Sequence, residues 1–311
     1  MTEVRRSYFI AGVLFCILGA VCFSTKAIFV KLAYRDTTVD AVTLLALRMV
    51  FSLPFFLVSA AISSSQSDNK KFTPKQWIYI ALIGSLGYYA SSLLDFLGLQ
   101  YVSAGIERLI LFIYPTLVLI FSSLIFGDKI KKIQWIAVAV TYAGLVLAFV
   151  GEANISGEQK DFYLGSALIF ACAITFALYI VGSGKLIPIV GASKYNSYAM
   201  TFACLSVLAH FFITSEQSLF NLDRQVYIYS IAMALLGTVI PSYLVTEGIK
   251  RVGSDNAAII GSVGPVSTII QANIFLNEPV LAVQIAGTAL ILAGVFIISR
   301  GKNAKSLKQK A

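Results

Sequence analysis

Residues 86–98 read LGYYASSLLDFLG, and residues 236–248 read LGTVIPSYLVTEG. Leu86, Gly87, Ser92, Leu94 and Gly98 fall on Leu236, Gly237, Ser242, Leu244 and Gly248 at a constant shift of 150 residues. The register holds in both directions along the chain. Upstream, Leu14, Leu18, Cys22, Thr25 and Ala27 meet Leu164, Leu168, Cys172, Thr175 and Ala177; downstream, Pro115, Gln134, Ala143 and Gly144 meet Pro265, Gln284, Ala293 and Gly294, and Asp128 meets Glu278. Leu and Ala coincidences are cheap in apolar sequence. One ungapped register that also pairs Pro, Gln and several Gly residues marks a tandem duplication.

The duplicated unit is a set of apolar runs. Of the 311 residues, 58% are hydrophobic and 13% charged, whereas an average soluble domain is roughly one-quarter charged. Runs of about twenty apolar residues recur from Phe9 to Ile298, each long enough to cross a hydrocarbon core of about 30 Å. They predict helices near 9–33, 39–61, 77–99, 103–126, 133–150, 161–183, 195–214, 226–249, 256–275 and 280–298. The connectors around Ser63–Gln76 and Gly151–Asp161 are too short to hold a soluble catalytic domain. The expected fold is therefore an all-α integral membrane protein of ten transmembrane helices. Each half contributes five spans, an odd number, so the second copy enters the membrane from the opposite side and the two repeats have inverted topology.

The net charge of +9 is explained by placement. Arg5, Arg6, Lys70, Lys71, Lys75, Lys129, Lys131, Lys132, Lys185, Lys194, Lys250, Arg251, Arg300, Lys302, Lys305, Lys308 and Lys310 fall on one side of the predicted topology, and only Arg35, Lys160 and Arg224 on the other. Basic residues collect on the cytoplasmic side, so both termini are expected there, in a multi-pass cell (plasma or inner) membrane protein. The aromatics are spread through the spans, not interleaved with a basic patch, which argues against nucleic acid as a partner. Cys16, Cys22, Cys172 and Cys204 lie in apolar runs with no C-x-x-C pair, so no metal and no cofactor is expected. The apolar stretch after Arg5-Arg6 outruns a signal-peptide core and lacks a clear A-x-A site, so it reads as the first span.

Ser254-Asp255-Asn256-Ala257-Ala258, Gly264-Pro265, Leu276-Asn277-Glu278-Pro279, Gln284-Ile285-Ala286-Gly287 and Ala293-Gly294-Val295 resemble the drug/metabolite transporter superfamily, EamA type. Ser103-Ala104-Gly105, Tyr114-Pro115, Gly127-Asp128, Gln134 and Ala143-Gly144 carry the pattern in the first half, with Asp128 in place of the more usual Glu. The resemblance covers nearly the whole chain. It implies a first five-helix repeat at 1–151, a second at 152–300 and a basic cytoplasmic tail at 301–311. It also implies a central cavity lined mainly by spans 1, 3, 4, 6, 8 and 9, with spans 5 and 10 at the periphery.

Charges inside spans cost about 2.5–3.5 kcal/mol each on insertion scales, so each needs a partner, water or a function. Five lie in the first half: Lys26, Arg48, Asp95, Glu107 and Arg108. With the expected orientation they form a layer about 6–14 Å from the outer helix ends. Three are positive and two negative, so internal pairing leaves one cation to meet a carboxylate or phosphate. Lys26 has Phe176 as its counterpart, so the shared fold does not demand its charge and a substrate or gating role is expected; snorkelling to the outer interface and a structural ion pair are the alternatives. Glu107 and Arg108 point about 100° apart, so one can pair while the other faces a cavity. Tyr114 and Pro115 follow, the proline leaving a carbonyl free near mid-span. Asp95 ends a polar stripe with Tyr88 and Ser91, and it or Glu107 is a candidate proton carrier. Arg48 reads as a structural anchor, because the resemblance puts span 2 outside the main lining. In the second half, Gly261, Gly264, Ser267 and Gln271 form a small, polar face next to Pro265, and Tyr243 follows Pro241; close packing is the structural alternative for this face. His210, near the end of span 7, has no expected role.

Inverted repeats offer two nearly equivalent packings, one open to each side, around a midplane site. The expected function is a secondary transporter, an exporter by the family's habit, moving a small charged organic metabolite such as an amino acid by alternating access, with protons as a candidate coupling ion. The alternatives are a passive channel or sensor, and a membrane-embedded enzyme acting on lipid or isoprenoid groups. No D-D-x-x-D or H-x-x-x-x-D pattern supports the enzyme.

Overall fold

The computed structural model describes residues 3–65, 72–127, 130–153, 159–184, 186–215, 217–252, 257, 260–261 and 263–308. Lys70, Lys71, Asp128, Lys129, Lys185, Ser254, Asp255, Asn256, Ala258 and Lys310 lie outside these residues. The described residues form ten long helices: α1 Glu3–Asp36, α2 Ala41–Ser64, α3 Pro74–Gly98, α4 Ala104–Phe126, α5 Lys132–Ala153, α6 Gln159–Ser183, α7 Ala192–Thr214, α8 Arg224–Val252, α9 Val263–Leu276 and α10 Ala282–Lys308. A short helix, Ile187–Val190, links α6 to α7. Eight of the ten contain stretches long and apolar enough to cross a membrane by themselves; Val263–Leu276 and Ala282–Ile297 are shorter apolar stretches. Helix α10 runs through Gly301 without a break, so the basic residues up to Lys308 extend the last helix.

Helix ends follow local chemistry. The Asp40 carboxylate accepts from the Val42 and Thr43 amides at the start of α2, and Thr73 and Gln76 form a reciprocal capping box ahead of α3, with Pro74 in the first turn. These groups satisfy amides that have no partner within their helix. Helix α4 ends on Gly127 at φ 73°, and α9 ends on Asn277 at φ 58°. These are duplicate positions, and both use a residue type that tolerates the left-handed region.

The packing is that of two exchanged halves. Helix α1 packs against α8 and α9, and correspondingly α6 packs against α3 and α4, while α2 pairs with α7 and α5 with α10. The α5–α10 pair is close because glycines face each other. A methyl group at Gly144 would stand 2.6 Å from the Gly287 carbonyl oxygen, and one at Gly294 would stand 2.7 Å from that of Ala137. Small residues at a crossing let backbones approach where no hydrophobic force draws helices together.

The surface is inverted relative to a soluble protein. Leu14, Val58, Ile62, Leu82, Leu124, Phe212 and Ile213 are exposed, whereas Arg48, Asp95, Glu107, Gln134 and Gln284 are buried. An apolar exterior with the charged and amide side chains drawn into an otherwise apolar interior is stable in lipid, where unpaired polar groups cost several kcal/mol. The duplication extends to irregularities. Residues 85–90 of α3 and 235–239 of α8, which coincide at the same 150-residue shift, are both π-helical. A π turn inserts one residue and re-aims the side chains after it.

Candidate functional site

Between the halves lies a cavity of about 460 Å³. Its wall takes Phe23 and Lys26 from α1, Tyr88, Ser91 and Asp95 from α3, and Arg108, Phe112 and Tyr114 from α4. Across it stand Cys172 and Phe176 from α6, Gly237 and Val245 from α8, and Gly261, Gly264 and Pro265 from the α9 region. The participating helices are those the resemblance implies, with one addition: Arg48 from α2 also lines the cavity. Its expected place outside the lining is corrected on this point. The side chain is long enough to pass between α3 and α8, and its Nε donates to Thr238 Oγ1 at 3.0 Å on the π-helical turn of α8.

The charges converge. Lys26 Nζ lies 2.5 Å from Asp95 Oδ2 and 3.3 Å from Glu107 Oε1. Arg108 Nε is 3.9 Å from Glu107 Oε2 and donates to Thr268 Oγ1 at 3.0 Å, while its Nη2 donates to the Phe23 carbonyl at 3.1 Å. Glu107 is sealed from solvent, whereas its neighbour Arg108 reaches the cavity, the division that their 100° separation requires. Lys26 does not snorkel to an interface, because two carboxylates hold it within the bundle.

Local backbone features aim these groups. Gly237 lets α8 approach α1 beside the lysine, since a methyl group there would stand 3.2 Å from Lys26 Cβ. On α3 the Ser91 hydroxyl donates to the Gly87 carbonyl, and Ser91 and Asp95 follow the π turn into the wall. Helix α4 breaks between Leu111 and Tyr114, with Pro115 opening its second segment. The break places Tyr114 in the wall although Glu107, seven residues earlier, is outside it. Gly264 presents its carbonyl to the Ser24 hydroxyl at 2.9 Å, next to Pro265.

Two expected residues do not join the cavity wall. Tyr243 is 45% exposed and faces away, beyond the π turn that shifts the register of α8. Gln271 is engaged elsewhere, its Nε2 donating to the Val21 carbonyl at 3.2 Å and to Ser267 Oγ at 2.8 Å. His210 packs edge-on to Tyr89 at 5.7 Å between ring centroids. The groups that sequence reasoning missed are Thr238 and Thr268, the hydroxyls that orient Arg48 and Arg108. A threonine one turn from a proline or glycine carries no distinctive signal.

The wall also indicates where the cavity closes. The helix directions put Cys16, Val245, Ile249 and Ala257 toward the end of the bundle that carries both termini, and Asp95, Lys26 and Arg48 toward the opposite end. Beyond the charges, that opposite end is tied shut. Lys31 Nζ donates to the Leu99 and Val102 carbonyls, Tyr34 Oη to the Phe96 carbonyl, and Tyr229 Oη to Asp36 Oδ2 at 2.5 Å. The Glu278 carboxylate accepts from the Ala104 and Gly105 amides at 3.1 and 3.4 Å, at the positive N-terminus of α4. Among the described residues, no cluster of His, Cys, Asp and Glu could hold a metal ion.

Fold and site together define a multi-pass helical membrane protein with a charged cavity between two related halves. The profile of the EamA-like transporter family matches residues 10–150 and again 163–300, and the chain belongs to that family. It is 33% identical over 309 residues to the "Uncharacterized transporter YcbK" of Bacillus subtilis strain 168, covering 96% of this chain and 94% of the relative. It is 26% identical over 227 residues to the "Uncharacterized transporter YetK" of the same organism, covering 72% and 68% of the two chains. A solved structure entitled "Crystal structure of protein" superposes with a TM-score of 0.61 at 19% identity, over 92% of this chain and 95% of the other, and shows the same fold. The protein is a membrane transporter; its family and relatives point away from an enzyme.

Proposed function

We propose that the protein is a secondary transporter of the cell membrane that exports a small charged organic metabolite, such as an amino acid or a related compound, by alternating access, with both termini cytoplasmic. The observation that carries this reading is the cavity itself. It lies between two halves related by exchange, reaches from mid-bundle toward the end with the termini, and stops at a buried charge layer. A cavity closed at one end by ionic contacts is one of the two packings that inverted repeats make available. Lys26, Asp95, Glu107 and Arg108 form the gate at the end opposite the termini in this reading, and Tyr88 and Tyr114 shape the pocket that stops at it. The repeats 1–151 and 152–300 exchange their first helices, so the units that rock in this reading are α1 with α8 and α9, and α6 with α3 and α4.

The cluster also supports proton coupling. One ammonium serves two carboxyl groups, and Asp95 Oδ1 and Glu107 Oε2 are buried without a hydrogen-bond partner. A proton on one carboxyl satisfies its oxygen and releases Lys26 to the other, so a proton and a charged substrate compete for the same groups. The test is flux of a mixed labelled metabolite pool in liposomes, with and without an imposed pH gradient, comparing the protein with its Lys26→Ala/Glu107→Gln double variant. Saturable flux lost in the double variant supports the reading. Flux equal in both proteins removes the cluster from the mechanism, and flux that does not saturate returns the channel.

A further inference from the structure

The charge layer is not internally balanced, and the geometry identifies the group left over. Lys26 sits on Asp95, and Arg108 is the second cation beside Glu107. Arg48 has neither: among the described residues no carboxylate lies within ion-pair distance of it, and it is 95% buried, with 5% exposure. Its Nε is fixed by Thr238, its Nη1 reaches Ser92 Oγ at 3.5 Å, and its Cζ lies over the Phe96 ring, 5.6 Å from the centroid. Thr238 is itself held, donating to the Met233 carbonyl five residues back across the π turn. The guanidinium is thus oriented through Nε and Nη1, while Nη2 has no hydrogen-bond partner among the described residues and the side chain borders the cavity. A guanidinium is permanently charged and offers a planar fork that matches a carboxylate.

We infer that Arg48 is the anion-binding residue of the cavity and that the transported compound is an organic acid whose carboxylate docks there. The inference rests on the transporter reading above and names its substrate class. Three cations against two carboxylates leave a single positive charge, which a monoanion neutralises. Phe23, Phe112, Tyr114 and Phe176 line the remainder of a cavity of about 460 Å³, so the body of the compound is apolar. That volume is within the range of about 300–1,000 Å³ that encloses small organic ligands.

The test pairs binding with flux. Thermal unfolding of the purified protein is followed across a panel of carboxylic acids with apolar side chains, N-acetylated amino acids among them, each matched with its uncharged carboxamide. Acids should stabilise the protein and their amides should not. Arg48→Gln should weaken the apparent affinity for the acid by about ten- to a hundred-fold, the worth of a charge-assisted hydrogen bond, and Arg48→Lys should restore part of it. Thr238→Val, which leaves the charge but removes its anchor, gives a second variant in case Arg48→Gln does not fold; it should weaken the same acids and no amide. Equal stabilisation by acids and amides, acid binding undiminished in folded Arg48→Gln or in Thr238→Val, or no response to any acid would overturn the inference. The same panel is then assayed for flux in liposomes. Saturable transport of neutral or cationic compounds alone leaves a transporter and removes the anion site, whereas Arg48-dependent acid binding without flux keeps the site and removes the transporter.

Discussion

Replacing Lys26 with methionine should destabilise the protein more than any other single change in the cavity. The substitution keeps the length and apolar stem of the side chain and removes only the ammonium. Its Nζ is 2.5 Å from one carboxylate and 3.3 Å from another, and those carboxylates are 2% and 0% exposed. Asp95 and Glu107 would then face each other with Arg108, 3.9 Å from Glu107, as the remaining nearby cation. Removing one partner of a buried ion pair typically costs about 3–5 kcal/mol, because the charge left behind is no longer compensated. Removing both members of a pair together costs far less, since replacing a buried pair by uncharged groups of similar volume is often neutral. Lys26→Met should therefore lose about 3–5 kcal/mol, and the double variant Lys26→Met/Asp95→Asn, which leaves Glu107 with Arg108, should regain most of it. Equilibrium unfolding in mixed micelles with increasing denaturing detergent measures both. Wild-type stability in Lys26→Met would refute the reasoning, because it would mean that water, not the lysine, balances the carboxylates. A double variant no better than the single would mean that the loss came from packing instead of charge.

Other contacts give further expectations. Glu278→Gln removes the carboxylate that accepts from the Ala104 and Gly105 amides and should cost about 0.5–2 kcal/mol, as for loss of a helix N-cap; a cysteine placed at Tyr34 should then react faster with a membrane-impermeant thiol reagent applied from the side opposite the termini. Gly144→Val forces side-chain atoms against the Gly287 backbone, 2.6 Å from the new Cβ, and should cost about 1–3 kcal/mol by overpacking, visible as a lower melting temperature with little change in substrate affinity. Tyr243→Ala, at a half-exposed position outside the cavity, should leave flux within about twofold of wild type, since surface changes typically stay within ±0.5 kcal/mol; a larger loss in liposomes would place Tyr243 in the pathway.

The fold was legible because lipid imposes a coarse rule. An apolar run of sufficient length must be a helix, and the duplication register then gives its symmetry mate; Pro115 with Pro265, and Gly144 with Gly294, were enough to establish this. The site was legible only where a charge stood in such a run. Lys26, Asp95, Glu107 and Arg108 stand out by type alone, and the structure brings them together. Arg48 stood out equally, yet its place in the cavity depends on a π turn in another helix, and nothing in the residue pattern of 235–239 announces that turn. Tyr243 stood out only by following Pro241, a position that does not say which way the side chain faces, and the structure places it outside the cavity wall. A stronger signal was available in the register itself. The five charged positions fall on Phe176, Tyr198, Val245, Ala257 and Ala258 in the second half, so the layer belongs to one copy of the repeat and not to the pattern the two copies share.

That asymmetry bears on how alternating access would run here. If the two halves merely exchanged environments, the two ends of the cavity would be sealed by equivalent side chains and the two facing states would have similar energies. Instead, the end now closed is sealed by Lys26 with Asp95 and Glu107, whereas Phe176, Val245 and Ala257, the duplicate partners of Lys26, Asp95 and Glu107, line the cavity on the side of the termini. Closing that side would bring apolar surfaces together, a contact indifferent to charge. Opening the ionic side would hydrate three charges that are now paired, and the Coulombic attraction given up would be offset by restored solvation. The gates would therefore respond to different things: the apolar one to the shape of the bound compound, the ionic one to its charge and to protons. A carboxylate arriving at Arg48, at the same end of the cavity as Asp95, adds negative charge to the layer and weakens the hold of Asp95 and Glu107 on Lys26. In this scheme the substrate loosens the ionic gate that stands between it and the far side of the membrane.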